Sequence, residues 1–84
     1  MTVRVFGRLR KVLAADHIEL QAATVGEALE ALRGRLGRGD TEARGMLDHA
    51  VVLVNGRNAR ALAGNDTPVS ADDEVTVLQQ IAGG

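Results

Sequence analysis

Only one stretch of this chain carries a sustained helical period, and segments that read as strands flank it on both sides. Any sheet those strands form can therefore be covered by a long helix on one face alone. The helix signal opens at Thr24, which stands three residues before Glu27 in a capping-box arrangement. Val25, Ala28, Leu29, Leu32 and Leu36 then recur at helical spacing up to Gly37. Before the helix, residues 2–8 alternate, with Val3 and Val5 on one face and Arg4, Phe6 and Arg8 on the other. Residues 17–20, with Ile18 and Leu20 in phase, suit a second strand reached through a short connection, and a hairpin is the simplest arrangement of the two.

After the helix, residues 38–48 are polar and turn-rich, with Met46 and Leu47 near the end, and read as a short helical turn on the surface. Residues 51–54 are apolar on both faces, the mark of a central strand, and Asn55-Gly56 behind them is a strong hairpin signal. Residues 57–60 are expected to return as an edge strand. Pro68 bars its neighbourhood from a sheet interior, Asp72-Asp73 marks a turn, and residues 74–78 set Val75 and Val77 against Thr76 and Leu78 as the last strand. The order strand, strand, helix, strand, strand, strand predicts an α+β fold: a mixed sheet of about five strands with one main helix packed on one face, the β-grasp plan.

Composition narrows the function. Eighty-four residues make one domain with a single core, and 45% hydrophobic with 25% charged residues argues against disorder. With no cysteine there is no disulfide framework, thiol nucleophile or thiolate metal site. A net charge of −1 and Phe6 as the single aromatic offer neither a phosphate-tracking groove nor a base-stacking platform, so a nucleic-acid partner is not expected. His17 and His49 lack a ligand-pair spacing, and no metal site or bound cofactor is expected. The cluster Gly34, Gly37 and Gly39 follows a helix instead of opening one, which marks a helix end and not a dinucleotide fingerprint. Ser70, the single serine, has no nearby histidine to activate it. No leader and no apolar run of membrane-spanning length is apparent, so a cytoplasmic chain without membrane association is expected.

The sequence closes on Gly83-Gly84. A carboxylate on two residues without side chains is an accessible acyl group, and both glycines can thread a channel too narrow for other residues. A frayed end that happens to be glycine is the plainer alternative. Five segments decide between them: VRVFGRLRKVL at residues 3–13, TVGEALEAL at 24–32, VLVNGRNAR at 52–60, DTPVSADDEVTV at 66–77 and IAGG at 81–84. With these segments the chain resembles the ubiquitin-like sulfur carriers (MoaD/ThiS), especially the small subunit of molybdopterin synthase. It departs from that subunit in two places. Leu78, Gln79 and Gln80 stand where Phe and two prolines are common, and Asp72 or Asp73 stands where a glycine is. An aliphatic residue at the Leu78 position is typical of the related carriers that supply sulfur for cysteine or small thio-metabolites.

The resemblance implies a ubiquitin-like domain over residues 1–78 and a flexible tail over 79–84. It further implies that a ubiquitin-activating-type enzyme (MoeB-like) uses ATP to adenylate the Gly84 carboxylate. A sulfur donor then makes the thiocarboxylate, and the large subunit of molybdopterin synthase (MoaE-like) or another sulfur-accepting enzyme receives the sulfur. Ile81, Ala82 and Gly83 would occupy the partner's channel, and the chain would be a co-substrate with no catalytic residue of its own. Strand parity adds a docking surface, because Phe6 and Leu78 point away from the helix-covered face with Arg4 and Arg8 flanking Phe6. Two other classes are weighed: a protein modifier joined to lysines through Gly84, with Lys11 as the chain's single lysine, and a plain interaction domain with an inert tail.

Overall fold

The computed structural model describes residues 1–79. In chain order they form β1 (Thr2–Val5), α1 (Arg8–Leu13), β2 (His17–Glu19), α2 (Val25–Arg33), α3 (Thr41–Asp48), β3 (Val51–Val54), β4 (Arg57–Asn58), two 3-10 turns (Ala59–Ala61 and Gly64–Asp66) and β5 (Glu74–Leu78). One sheet holds all five strands in the order β2-β1-β5-β3-β4. β1 and β5 run parallel, from Thr2 beside Glu74 to Val5 beside Val77. The remaining neighbours are antiparallel. The first and last of these strands thus lie side by side at the centre of a mixed sheet, which is the β-grasp plan.

The period-two alternation of the strands decides which face is buried. Val3, Val5, Val75 and Val77 are fully enclosed, and Ile18, Val52 and Val54 join them on the same face. Onto it the helices bring Leu9 from α1, Val25, Ala28, Leu29 and Leu32 from α2, and Ala43 and Leu47 from α3, all in one continuous core. At the start of α2 the Glu27 amide donates to Thr24 Oγ1 at 3.2 Å, while Glu27 Oε1 accepts from the Ala23 amide at 3.2 Å, one residue earlier than in the usual capping box. The helix ends at Arg33, short of the expected Leu36. Beyond it the amides of Arg35 and Leu36 bond three residues back, to Leu32 and Arg33, and this tightened turn still delivers Leu36 to the core.

Among the described residues α2 is the longest helix, as expected of the main one, and two shorter helices, α1 and α3, accompany it. Residues 2–8 do not form one strand, since β1 stops at Val5 and Gly7 turns the chain at φ 65°, a backbone angle that glycine reaches without strain. The connection that follows is itself α1, closed by the αL residue Ala14 and anchored by fully buried Leu9. Residues 38–48 hold a true helix and not a surface turn. Asp40 caps it by accepting from the Ala43 amide at 3.0 Å, and Ala43 and Leu47, four residues apart, are each 1% exposed.

The Asn55-Gly56 hairpin forms as expected, with φ 50° and 85°, the positive pair a type I′ turn needs. The returning strand, however, lasts only two residues instead of spanning 57–60. Asn58 Oδ1 accepts from the Arg60 amide at 2.9 Å and draws the backbone into a 3-10 turn, a side-chain bond that competes with the sheet ladder. The expected turn at Asp72-Asp73 does more than reverse the chain. Asp73 accepts from Asn55 Nδ2 at 2.9 Å and from the Ser70 amide at 2.8 Å, while Asn55 Oδ1 accepts from the Glu74 amide at 2.9 Å. These bonds clamp the hairpin to the start of β5.

Candidate docking face and tail exit

Because all three helices pack on one face, the opposite face of the sheet is left to side chains of the alternate parity. Strand register builds it in rows. Thr76 lies between Arg4 on β1 and Leu53 on β3, and Leu78 pairs with Val51. Phe6 and Leu78 each follow the Val5–Val77 pair by one residue, so Phe6, Leu78 and Val51 make an apolar row at the end of the sheet where β5 finishes. Phe6 is 39% exposed, among the most exposed large apolar side chains of the described residues, and Leu78, Val51 and Leu53 are half-buried. A partner would complete their burial.

Arg4 borders this row. Its guanidinium lies 5.4 Å from the Phe6 ring centroid, within cation–π range, and Nη1 stands 3.8 Å from Glu74 Oε1. Its Nε is enclosed and has no hydrogen-bond partner. Arg8 is placed differently from the sequence reading. As the first residue of α1 it has left the strand alternation, and its Nη1 pairs with Glu42 Oε1 of α3 at 2.5 Å, so it braces two helices instead of sharing the face of Arg4.

The face leads to the tail. Gln79 Oε1 lies 3.5 Å from the position a Cβ on Gly7 would occupy, so the chain leaves β5 beside the β1–α1 turn and next to Phe6. Ile81, Ala82, Gly83 and Gly84, expected to be the channel segment and acyl end, lie outside the described residues, as does most of the proposed tail over 79–84. Val51 and Leu53 were not assigned to the docking face from sequence. Their apolar run on both faces was read as the mark of a central strand, and β3 does lie inside the sheet between β5 and β4; the same run also sets Val52 and Val54 in the core and Val51 and Leu53 on the opposite face.

Elsewhere the electrostatics are structural. Hydrogen bonds from Asn55 and Ser70 hold the Asp73 carboxyl below its ordinary value, and the neighbouring His17 imidazole does the same for Asp16. A groove near β4 is lined in part by Arg33, Asp48, His49 and Arg60. Its Arg33 is held by Asp48 and Glu30, whose carboxylates stabilise the charged guanidinium and occupy it. Among the described residues no three His, Asp or Glu side chains converge into a metal-binding group, and no helix is long and apolar enough to cross a membrane.

Compared with known proteins, residues 3–84 match the ThiS family, which takes in both the docking face and Gly83-Gly84. The chain belongs to the ThiS family. This places it among ubiquitin-fold proteins that act as sulfur carriers or protein modifiers. Among solved structures this ThiS-family chain is similar to small archaeal modifier protein 1 (SAMP1) from Haloferax volcanii, with 32% identity over 100% of this chain and 98% of that one, and a TM-score of 0.73. It is also similar to a chain of the BexX/CysO complex of Amycolatopsis orientalis, with 28% identity, coverage of 99% and 98%, and a TM-score of 0.76. The complex of subunits 1 and 2 of molybdopterin-converting factor from Helicobacter pylori, at 20% identity, coverage of 99% and 96% and a TM-score of 0.64, shares the fold. No curated protein matches the ThiS-family chain by sequence.

Proposed function

We propose that this chain is a sulfur carrier whose Gly84 carboxylate is adenylated by an ATP-using partner of the ubiquitin-activating type (MoeB-like) and then converted to a thiocarboxylate by a sulfur donor. The observation that carries this reading is a family match running from residue 3 through Gly84. A carboxylate is a poor electrophile, and coupling to AMP gives it a leaving group that sulfur can displace. All catalytic groups for these steps sit in partners, and the chain is their co-substrate. The row of Phe6, Leu78 and Val51 beside the exit at Gln79 supports it: a partner docked there receives residues 79–84 as a tethered reactant, which replaces a bimolecular encounter.

As acceptor we propose first the large subunit of molybdopterin synthase (MoaE-like), on the sequence segments that resemble its small subunit. Leu78 and the likeness to CysO favour a second reading, a carrier for cysteine or another thio-metabolite. The likeness to SAMP1, by name a modifier, favours conjugation to other proteins through Gly84. The test is intact-mass analysis after incubation with ATP, an adenylating partner and a sulfur donor. Replacement of one oxygen by sulfur, mapped to Gly84, is the expected result, and a terminus unchanged under conditions that thiocarboxylate a known family member overturns the carrier reading. Offering the product to a MoaE-like subunit with its pterin precursor, or to a thio-metabolite enzyme, then separates the acceptors.

A further inference from the structure

Asn55, in the β3–β4 turn, is tied to the start of β5 by its backbone and by both ends of its side chain. Its amide donates to the Glu74 carbonyl at 2.8 Å. Its Oδ1 accepts from the Glu74 amide and its Nδ2 donates to Asp73 Oδ1, each at 2.9 Å. The residue that follows it carries no side chain. Gly56 is exposed at φ 85°, with nothing within 4 Å of the position a Cβ would take, so its backbone nitrogen is unhindered. A carboxamide next to such a nitrogen can cyclise onto it. The other two asparagines, Asn58 and Asn65, precede Ala59 and Asp66, whose side chains crowd that approach.

We propose that Asn55 is a site of spontaneous deamidation gated by this clamp, and that the carboxylate it produces faces Asp73 and loosens the start of β5. With the clamp open, the Gly56 nitrogen loses its proton to hydroxide and attacks Cγ of Asn55. A C–N bond forms, the Cγ–Nδ2 bond breaks, and the departing nitrogen takes a proton from water and leaves as ammonia. Water then opens the cyclic imide. Addition at Cγ gives aspartate, and addition at the Asn55 backbone carbonyl gives isoaspartate, whose extra backbone methylene spoils the turn. The closed clamp opposes the reaction, because departure of Nδ2 breaks its bond to Asp73 and rotation of the carboxamide breaks the bond from Glu74. The folded chain therefore reacts through its locally opened fraction. Afterwards no proton stands between position 55 and Asp73 Oδ1, where the amide donated at 2.9 Å. Two carboxylates meet there, and like charges so close disfavour the state in which both are ionised. The Ser70 amide, 2.8 Å from the other oxygen of Asp73, holds that carboxylate in place.

The full chain is incubated at mildly alkaline pH beside a synthetic peptide of residues 52–59, and the exchange of NH2 for OH is followed by mass and located by peptide mapping. Conversion is expected at Asn55 ahead of Asn58 and Asn65, and about tenfold or more slower in the folded chain than in the peptide. Asp73→Ala removes the acceptor of Nδ2 and should bring the rate several-fold closer to that of the peptide. A melting curve shows that this variant is folded at the incubation temperature, and the comparison of chain with peptide stands without it. The consequence has its own variant: Asn55→Asp, which installs the product carboxylate, should melt several degrees below the parent at neutral pH. Equal rates in chain and peptide, a folded chain in which Asn55 outlasts Asn58 and Asn65, a folded Asp73→Ala chain that converts no faster than the parent, or an Asn55→Asp chain that melts as the parent does would each overturn the proposal.

Discussion

Val5 and Phe6 are neighbours in sequence with opposite fates, since Val5 is fully buried while Phe6 keeps 39% of its surface exposed. Val5→Ala should therefore cost roughly 2–3 kcal/mol of stability with little effect on partner affinity per folded molecule. Phe6→Ala should cost about 1 kcal/mol or less, mostly the stacking with Arg4, but weaken partner binding by about tenfold or more. Calorimetry of both variants beside a binding titration checks the contrast. Asp73 makes the pH-dependent case. Its folded carboxyl titrates below the ordinary 3.8, so its contribution is present above that value and is lost as pH falls through the lower folded one. Asp73→Asn should be less stable than the parent near neutral pH, and the gap should close as acid carries the parent below 3.8; urea melts across pH would reveal it. Asp16 is also depressed, but it is present in both chains and cancels. At this scale alternation correctly paired Phe6 with Arg4, while Arg8 was misplaced because nothing in a run of alternating residues announces that Gly7 will break it.

The strands, α2 and the hairpin were legible because each carries a repeating signal: period two through Val75 and Val77, helical spacing through Leu29 and Leu32, and Asn-Gly at the turn. The short helices were not. α1 is anchored chiefly by Leu9, and α3 by Ala43 and Leu47, too few buried positions to set a period against polar neighbours. Their packing is nonetheless part of the core, so Leu47→Ala is expected to destabilise by roughly 2–4 kcal/mol. Arg8→Ala, which removes only the exposed pair with Glu42, is expected to change stability by less than about 1 kcal/mol. Equal losses in thermal melts would mean that α3 is held by its charges and not by its apolar side.

For the whole molecule, stability and the proposed activity should separate. A chain lacking Gly84 is expected to melt as the full chain does yet give no ATP-dependent thiocarboxylate, since the core of the described residues is built from side chains between Met1 and Val77 and a glycine carries no side chain to add to it. Unimpaired thiocarboxylate formation, or a melting shift of several degrees, would contradict that division. A chain ending at Asp73 should lose both at once, because β5 is hydrogen-bonded on either side and carries the fully buried Val75 and Val77. Its circular dichroism melt should show no cooperative transition. The parallel β1–β5 pair also fixes a timetable for synthesis. β1 leaves the ribosome about 70 residues before β5, its partner at the centre of the sheet, so the nascent chain must hold that centre open until residues 74–78 follow and the long-range pairing can close. A polypeptide aborted before Glu74 has no β5, and so neither a closed sheet nor the apolar row of Phe6, Leu78 and Val51.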